Sequence, residues 1–383
     1  MTIIESPNLP IYSWVAELDT QTLEQARNLA SLTVAYHHVA LMPDAHVGFG
    51  MPIGGVAAIE NAIIPNAVGV DIGCGMRAVK TDRPVPEPDI LKKIAARIRQ
   101  RIPLGFEHRK EPRKWEGFSR LPASTVIKEE RDAAPYQLGT LGGGNHFIEL
   151  QRDAEGFLWV MIHSGSRNFG LKIAEYYHRR ARQFCEEHAI SLPSRDLAYF
   201  PFETREGQEY FGAMQYALEF ARENRRQLME EVILIIQEIM GDLAILDSLD
   251  IHHNYAAEEL HFGKPVLVHR KGATAARSGE RGIIPGSQGS ASYIVLGKGK
   301  AESFQSSSHG AGRRMGREQA RQRLNLEEER QRLERQGIVH SLRSQRDLDE
   351  AAGAYKDINQ VMEAQKDLVD ILVELHPVAV VKG

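Results

Sequence analysis

The sequence predicts a mixed fold in which β-strands and α-helices share one chain. Short apolar runs such as Gly54–Ile59 (GGVAAI), Leu158–Ile162 (LWVMI) and the VLV at 266–268 have the length of buried strands and stop abruptly at polar or charged residues. The stretches 88–102 and 208–240 instead repeat their apolar residues at helical spacing, with charges between. Between these elements lie glycine-rich segments that carry Asp, His and Cys and match neither period.

Bulk properties narrow the function classes. The 383 residues, 42% hydrophobic and 26% charged, are those of an ordinary globular protein able to bury a large core. A formal net charge of −4 excludes a bulk polycation that coats nucleic acid, although a local basic groove stays open. Two cysteines, Cys74 and Cys185, leave no room for a disulfide scaffold and fit a reducing cytoplasm. The N-terminus has neither a basic start nor an apolar core, so no secretory signal is expected. The longest apolar run, VILII at 232–236, is too short to span a bilayer. A soluble cytoplasmic protein is the expectation.

Taken in order, Thr22-Leu-Glu-Gln25 reads as a capping box opening a helix. LMPDAHVGFGMPIGG (41–55) sets Asp44 and His46 among glycines, as a backbone does when it approaches something closely. PNAVGVDIGCGM (65–76) places Asp71 and Cys74 three positions apart among Gly69, Gly73 and Gly75. A hard oxygen and a soft sulfur aimed at one point suggest a transition-metal site. The charged EHRKEPRK (107–114) reads as a solvated loop. In LGTLGGGNHFIEL (138–150), a triple glycine feeds a strand with Asn145 and His146 at its mouth and Glu149 inside it. LWVMI then runs directly into His163-Ser-Gly-Ser-Arg167. Either histidine alone reads as a hydrogen-bonded core residue; two at equivalent strand–glycine boundaries read as a metal pair.

The region 171–247 is expected to be mostly helical, with a loop near Pro193–Pro201, a structural Cys185, and His188 solvated or capping. Of the adjacent His252 and His253, at most one can face a given site, because neighbours on a strand point to opposite faces. VLVHRKGAT (266–274) ends a strand in a basic cluster, and IIPGSQGSASYIVLG (283–297) offers Ser287 and Ser292 around glycines, suited to a phosphate or sugar. In SSSHGAGRRMGR (306–317), His309 is expected just before a basic helix start, where free amides favour an anion. The run RQRLNLEEERQRLERQG (321–337) reads as one charged, solvated helix. The tail HPVAVVKG is an apolar strand that could pin Lys382 inside.

These motifs, together with HHN, HRKGAT and the terminal VKG, occur in the order found in the RtcB family of RNA ligases, which the chain resembles along essentially its whole length. The chain is short for that family, and Asn168-Phe169 follows HSGSR where a glycine is more usual. The resemblance implies a single α+β catalytic domain over 1–383, with β-sheets surrounded by helices. It implies two Mn²⁺ ions bridged by Cys74, one also held by Asp71 and His253 and the other by His146 and His163. His309 would be the nucleophile that takes GMP from GTP, with Asp44 a base or orienting group near the incoming hydroxyl. Nucleotide contacts would come from the run Asn145, His146, Phe147, Ile148 and Glu149 and from His253 and Asn254. Pro285, Gly286, Ser287, Gln288 and Ser292 would add others, with Gly310, Ala311, Gly312, Arg313 and Lys382 completing the set. Glu149 and Lys382 would read the guanine. The implied partners are GTP and RNA ending in a 3′-phosphate or 2′,3′-cyclic phosphate and a 5′-hydroxyl, in RNA repair or tRNA splicing. An activating or release-factor-like protein partner is left open, and no membrane is implied. Two other classes compete: a dinuclear-metal phosphoesterase acting on RNA, which needs no covalent nucleotide, and a non-catalytic RNA chaperone, which needs no thiolate between histidines.

Overall fold

The computed structural model describes the chain from Met1 to Gly383 and has the expected α+β composition. Two sheets dominate. A six-stranded sheet runs in the order 2–4, 11–13, 35–46, 53–59, 264–271, 254–261. A seven-stranded sheet runs in the order 245–252, 75–84, 157–164, 147–152, 369–382, 292–297, 281–284. The second sheet curls until its edges meet, where Arg281 donates to Asp247 at 2.9 Å.

His253 alone connects the edge strand of one sheet (Ile245–His252) to the edge strand of the other (Asn254–His261). The two sheets are therefore covalently hinged at a histidine. His252 turns away, toward the Arg225 guanidinium and the Gly73 carbonyl, while His253 turns into the space between the sheets.

Helices cover the outside. The helix Pro88–Arg101 and the second half of Arg205–Met240 pack Leu91, Ile94, Leu228, Val232 and Ile235 against Ile148, Val160 and Ile162 of the seven-stranded sheet. The VILII run is thus a core-facing turn of helix, with only Leu234 half exposed. The helix Arg167–Glu187 packs Phe169, Ile173 and Tyr177 against Tyr210, Met214 and Phe220. Cys185 is buried there and donates to the Tyr199 carbonyl, and His188 caps the helix end, as expected. No helix is long and apolar enough to cross a membrane.

Local expectations need three corrections. The first helix (Thr20–Ala30) is capped by Asp19, whose carboxylate accepts from the Thr22 amide. Gln25 is free to clamp Gly48 instead, accepting from its N–H at 3.0 Å and donating to its carbonyl at 2.6 Å. The charged region after Arg317 is two helices, Arg317–Arg323 and Leu326–Arg335, because Asn325 caps the second; Leu333 and Glu329 on it are buried. His309 does not precede a helix directly. It follows the short strand Ser306–Ser308, and the chain stays irregular to Gly316 because Gly312 takes φ +71 with no room for a Cβ against Asp44.

The long helix fixes the site from behind through Asn224 and Arg225, both fully buried. Asn224 Oδ1 accepts from the Gly139 and Thr140 amides at 2.8 and 3.3 Å, and its Nδ2 donates to Ser164 Oγ at 3.0 Å and the Gly165 carbonyl at 3.2 Å. Replacing Asn224 by Ala strands several of these buried groups, each worth about 1–3 kcal/mol when unmet. The expected loss is about 2–4 kcal/mol of stability, read from the urea midpoint; a shift too small to resolve would show that water takes over the contacts.

Candidate metal centre and nucleotide pocket

Strand register explains why distant motifs meet. In the seven-stranded sheet Gly75 stands opposite both His252 and Ser164, and His163 opposite both Met76 and Phe147. The residues beside these positions, Cys74, His146, His163 and His253, therefore gather at one end of four neighbouring strands. The Arg225 guanidinium holds that end by donating to the carbonyls of Gly73 (2.9 Å) and Ser164 (3.0 Å), balanced by a bidentate pair with Asp250.

Asn145 sets the chemistry of His163. Its carbonyl can only accept, so His163 Nδ1 carries the hydrogen (3.0 Å) and the Nε2 lone pair is free. That Nε2 faces Cys74 Sγ at 3.2 Å and His253 Nε2 at 3.3 Å, while His253 Nδ1 has no partner. On the other side of the thiol, His146 Nε2 lies 3.4 Å from Sγ and 3.0 Å from Asp71 Oδ2. The donor atoms fall into two triads sharing Cys74: Cys74–His163–His253 and Asp71–Cys74–His146. This corrects the expected pairing, which put Asp71 with His253 and His146 with His163. His163 and His253 end strands on the same side of the thiol, and the loop carrying Asp71 folds toward His146.

Such a donor set fits two divalent cations sharing a thiolate. Burial, and then the Asp71 charge, push the Cys74 thiol well above its ordinary range. Burial would raise Asp71 too, but the His146 hydrogen bond and the charges of His146 and Arg167 outweigh it and hold the carboxyl near about 2. Burial and neighbouring His146 keep His163 well below the ordinary imidazole range, so its ring is neutral and available as a donor.

His309 lies beside this centre, its ring 4.8 Å from that of His253. Asp44 Oδ2 accepts from His309 Nδ1 at 2.6 Å and from the His309 amide at 3.1 Å. Nδ1 therefore carries the hydrogen and Nε2 presents a lone pair. Asp44, fully buried, orients the imidazole directly; the expectation had placed it by an incoming hydroxyl. Gly272 (φ +60) makes the space, since a Cβ there would strike Ile53 and come within 3.0 Å of His309 Cε1.

A pocket of about 870 Å³ opens over these groups. Asn145, Phe147, Glu149, His253 and Asn254 line it, as do Pro285 to Gln288, the run His309–Arg313, and Lys382. Three expected contacts fall outside. His146 is turned to Cys74 and Asp71. Ile148 points into the helix-covered core, since side chains alternate along its strand, and Ser292 is spent on the Gly286 amide and Gln151. The terminal strand does bring Lys382 inside, its Nζ 5.6 Å from the Phe147 ring centre. Glu149 is buried (3% exposed), and burial raises its carboxyl to about 8 despite a hydrogen bond from Gln151 and the charge of Lys382.

Sequence inspection missed Lys271, Glu350 and Tyr355, which also line the pocket. Glu350 pairs with Arg313 at 3.2 Å and Arg317 at 2.9 Å and accepts from the Tyr355 hydroxyl, while Arg313 also lies over the Tyr355 ring. Nothing near 345–357 resembles a site motif; only the fold brings it here. Arg167, at φ +59, fills the space above Gly142 and contacts Thr140 Oγ1 at 3.2 Å, which accounts for Gly142; at Gly144 (φ +70) a Cβ would come within 2.9 Å of Arg317.

The chain matches the family described as tRNA-splicing ligase RtcB over residues 25–122 and 114–383, and it belongs to that family. Among its relatives, RNA-splicing ligase RtcB1 of Escherichia coli strain ATCC 25922 is 38% identical, covering 100% of this chain and 99% of the relative. RNA-splicing ligase RtcB of Escherichia coli K12 is 37% identical over the same shares. The tRNA-splicing ligase RtcB of Thermococcus kodakarensis is 33% identical over 95% and 91%. The protein is accordingly an enzyme of the ligase class.

Two outcomes test the electrostatics. Cys74→Ala takes a donor from both triads and is expected to weaken binding of a divalent cation, with Mn²⁺ as the probe, at least about tenfold by calorimetry; unchanged affinity would show the thiol is not a donor. Glu149 keeps its proton in the folded chain to about pH 8 but loses it near about 4.3 when unfolded. The folded state therefore binds the extra proton in this window, so its contribution to stability falls as pH rises through it. Glu149→Gln should flatten the decline in melting temperature between about pH 5 and 8 in the nucleotide-free protein; an unchanged slope would place the titration elsewhere.

Proposed function

We propose that the protein is a GTP- and Mn²⁺-dependent ligase that joins RNA 3′-phosphate or 2′,3′-cyclic phosphate ends to 5′-hydroxyl ends, in RNA repair or tRNA splicing in the cytoplasm, with 1–383 acting as one catalytic domain. The observation that carries this reading is His309, its Nδ1 hydrogen held by Asp44 and its Nε2 free, beside two donor triads in a member of the RtcB family. Two Mn²⁺ ions held by the triads would supply Lewis acidity to phosphate oxygens.

The residues of the chain then have distinct tasks. His309 Nε2 attacks the α-phosphorus of GTP; the N–P bond forms, the bond to the bridging oxygen breaks, and pyrophosphate leaves. Asp44 stabilises the cationic ring that results. An oxygen of the RNA 3′-phosphate next displaces the imidazole, giving an RNA 3′-pp-5′-G end. The 5′-hydroxyl oxygen of the second RNA attacks the RNA phosphorus, and GMP leaves. The hydroxyl proton passes to the phosphate of the departing GMP, while buried Asp44 keeps the His309 ring oriented. A cyclic phosphate is first opened by water. Glu149 accepts from guanine N–H groups and Lys382 donates to its oxygen, while Asn145, Ser287 and the Gly310–Arg313 run hold ribose and phosphates.

The expected result with Mn²⁺ and α-labelled GTP is an acid-labile label on the protein, absent from His309→Ala. Defined RNAs ending in cyclic phosphate and 5′-hydroxyl should then be joined only when GTP is present. A label persisting in His309→Ala would overturn the nucleophile, and hydrolysis of RNA ends without GTP consumption would favour the phosphoesterase.

A further inference from the structure

We infer that Phe49, with Val47 and Val70 on the same rim, forms a platform on which the unpaired terminal nucleobase of an RNA end stacks at the mouth of the catalytic pocket. All three line the pocket that holds His309, yet they are 72%, 40% and 47% exposed. The exposure of Phe49 does not come from a loose loop. Its carbonyl accepts from the Met51 amide at 2.8 Å and from the buried Lys271 ammonium at 2.5 Å. Gln25 clamps Gly48 on both its N–H and its carbonyl, and Met51 is fully buried. Gly50 takes φ +70 with the Asp196 carbonyl 2.7 Å from where a Cβ would sit. Backbone and neighbours are tied to the core while the ring is held out in water.

Isolated exposed apolar side chains are ordinary, but three on one pocket rim mark a surface that a ligand covers. The chemistry of the pocket says which ligand. Its interior is polar and charged, lined by Lys271, Arg313, Arg314 and Arg317, with Glu149 buried at depth. A guanine read at Glu149 leaves the rim free. A flat apolar face beside phosphate-binding groups suits an unpaired base, whose π-face stacks on an aromatic ring whatever its sequence. This inference rests on the RNA-ligase reading above.

The test compares Phe49→Ala and Phe49→Trp in the full chain. Loss of one stacked base is expected to raise the KM for RNA about tenfold in Phe49→Ala, with Phe49→Trp within about twofold of wild type. Self-guanylylation with GTP alone, which involves no RNA, reports whether the pocket is intact in each variant. Substrates with an abasic terminal nucleotide, on the 3′-phosphate strand in one arm and the 5′-hydroxyl strand in the other, identify the stacked end. Wild type should lose about tenfold in at least one arm, and Phe49→Ala should lose nothing more there. Penalties that multiply, no abasic penalty in either arm, or guanylylation falling as far as ligation would overturn the platform. Failure of the ligase reading is distinct: wild type itself would then neither take the label nor join RNA.

Discussion

The structure depends on bringing four candidate metal donors to one buried sulfur, itself the fifth. Cys74 is 3% exposed and lies among imidazoles contributed by segments 72, 89 and 179 positions away in the chain. No local turn can accomplish that. It follows from four strands being neighbours in one sheet in the register observed, and from the long helix tying the strand ends through Arg225 and Asn224. A slip of one residue in any of those strands would turn its donor to the opposite face. The elements that serve stability, such as the buried Arg225–Asp250 pair, therefore also set the geometry of the donor cluster.

A second consequence concerns charge. The region concentrates groups that water would otherwise solvate: Asp44, Glu149, Lys271, Lys382 and four imidazoles. Each buried group has a fixed partner or a pocket to face. Burial lowers the Lys271 ammonium to about 7 although it still donates to the Phe49 and Asn66 carbonyls, and it lowers Lys382 as well. Ligands that carry phosphates and a polar base edge would complete these half-satisfied groups. The empty valences at Asp44 Oδ1 and His253 Nδ1 belong to the same pattern. The site is built to be finished by what it binds.

Much of this was legible before the fold was known, for a definable reason. Asp71, Cys74, His146, His163 and His309 each sit beside glycines or small residues at the end of an apolar run, and such boundaries mark where a backbone delivers a side chain to a cleft. Strand alternation allowed only one of His252 and His253 at the site, and the family resemblance pointed to His253. Where the reading failed, it failed on non-local matters. Gln25 was assigned to its own helix when its partner is Gly48. Ser292 stands in a glycine-serine run like Ser287, but its register turns it to Gln151. Tyr355 and Glu350 lie in a segment with no motif at all.

The sequence by itself singled out the candidate donors and His309, because residue chemistry and the glycines that free the backbone around it are written locally. It also determined the mixed fold class, through the two periods of its apolar residues. Only the tertiary structure decided how the five ligands divide into triads, that Asp44 holds a histidine 265 positions away, and that Lys382 ends inside the pocket. Those outcomes depend on which strands become neighbours and in what register. That is settled by packing the whole core at once and has no counterpart in any single stretch of chain.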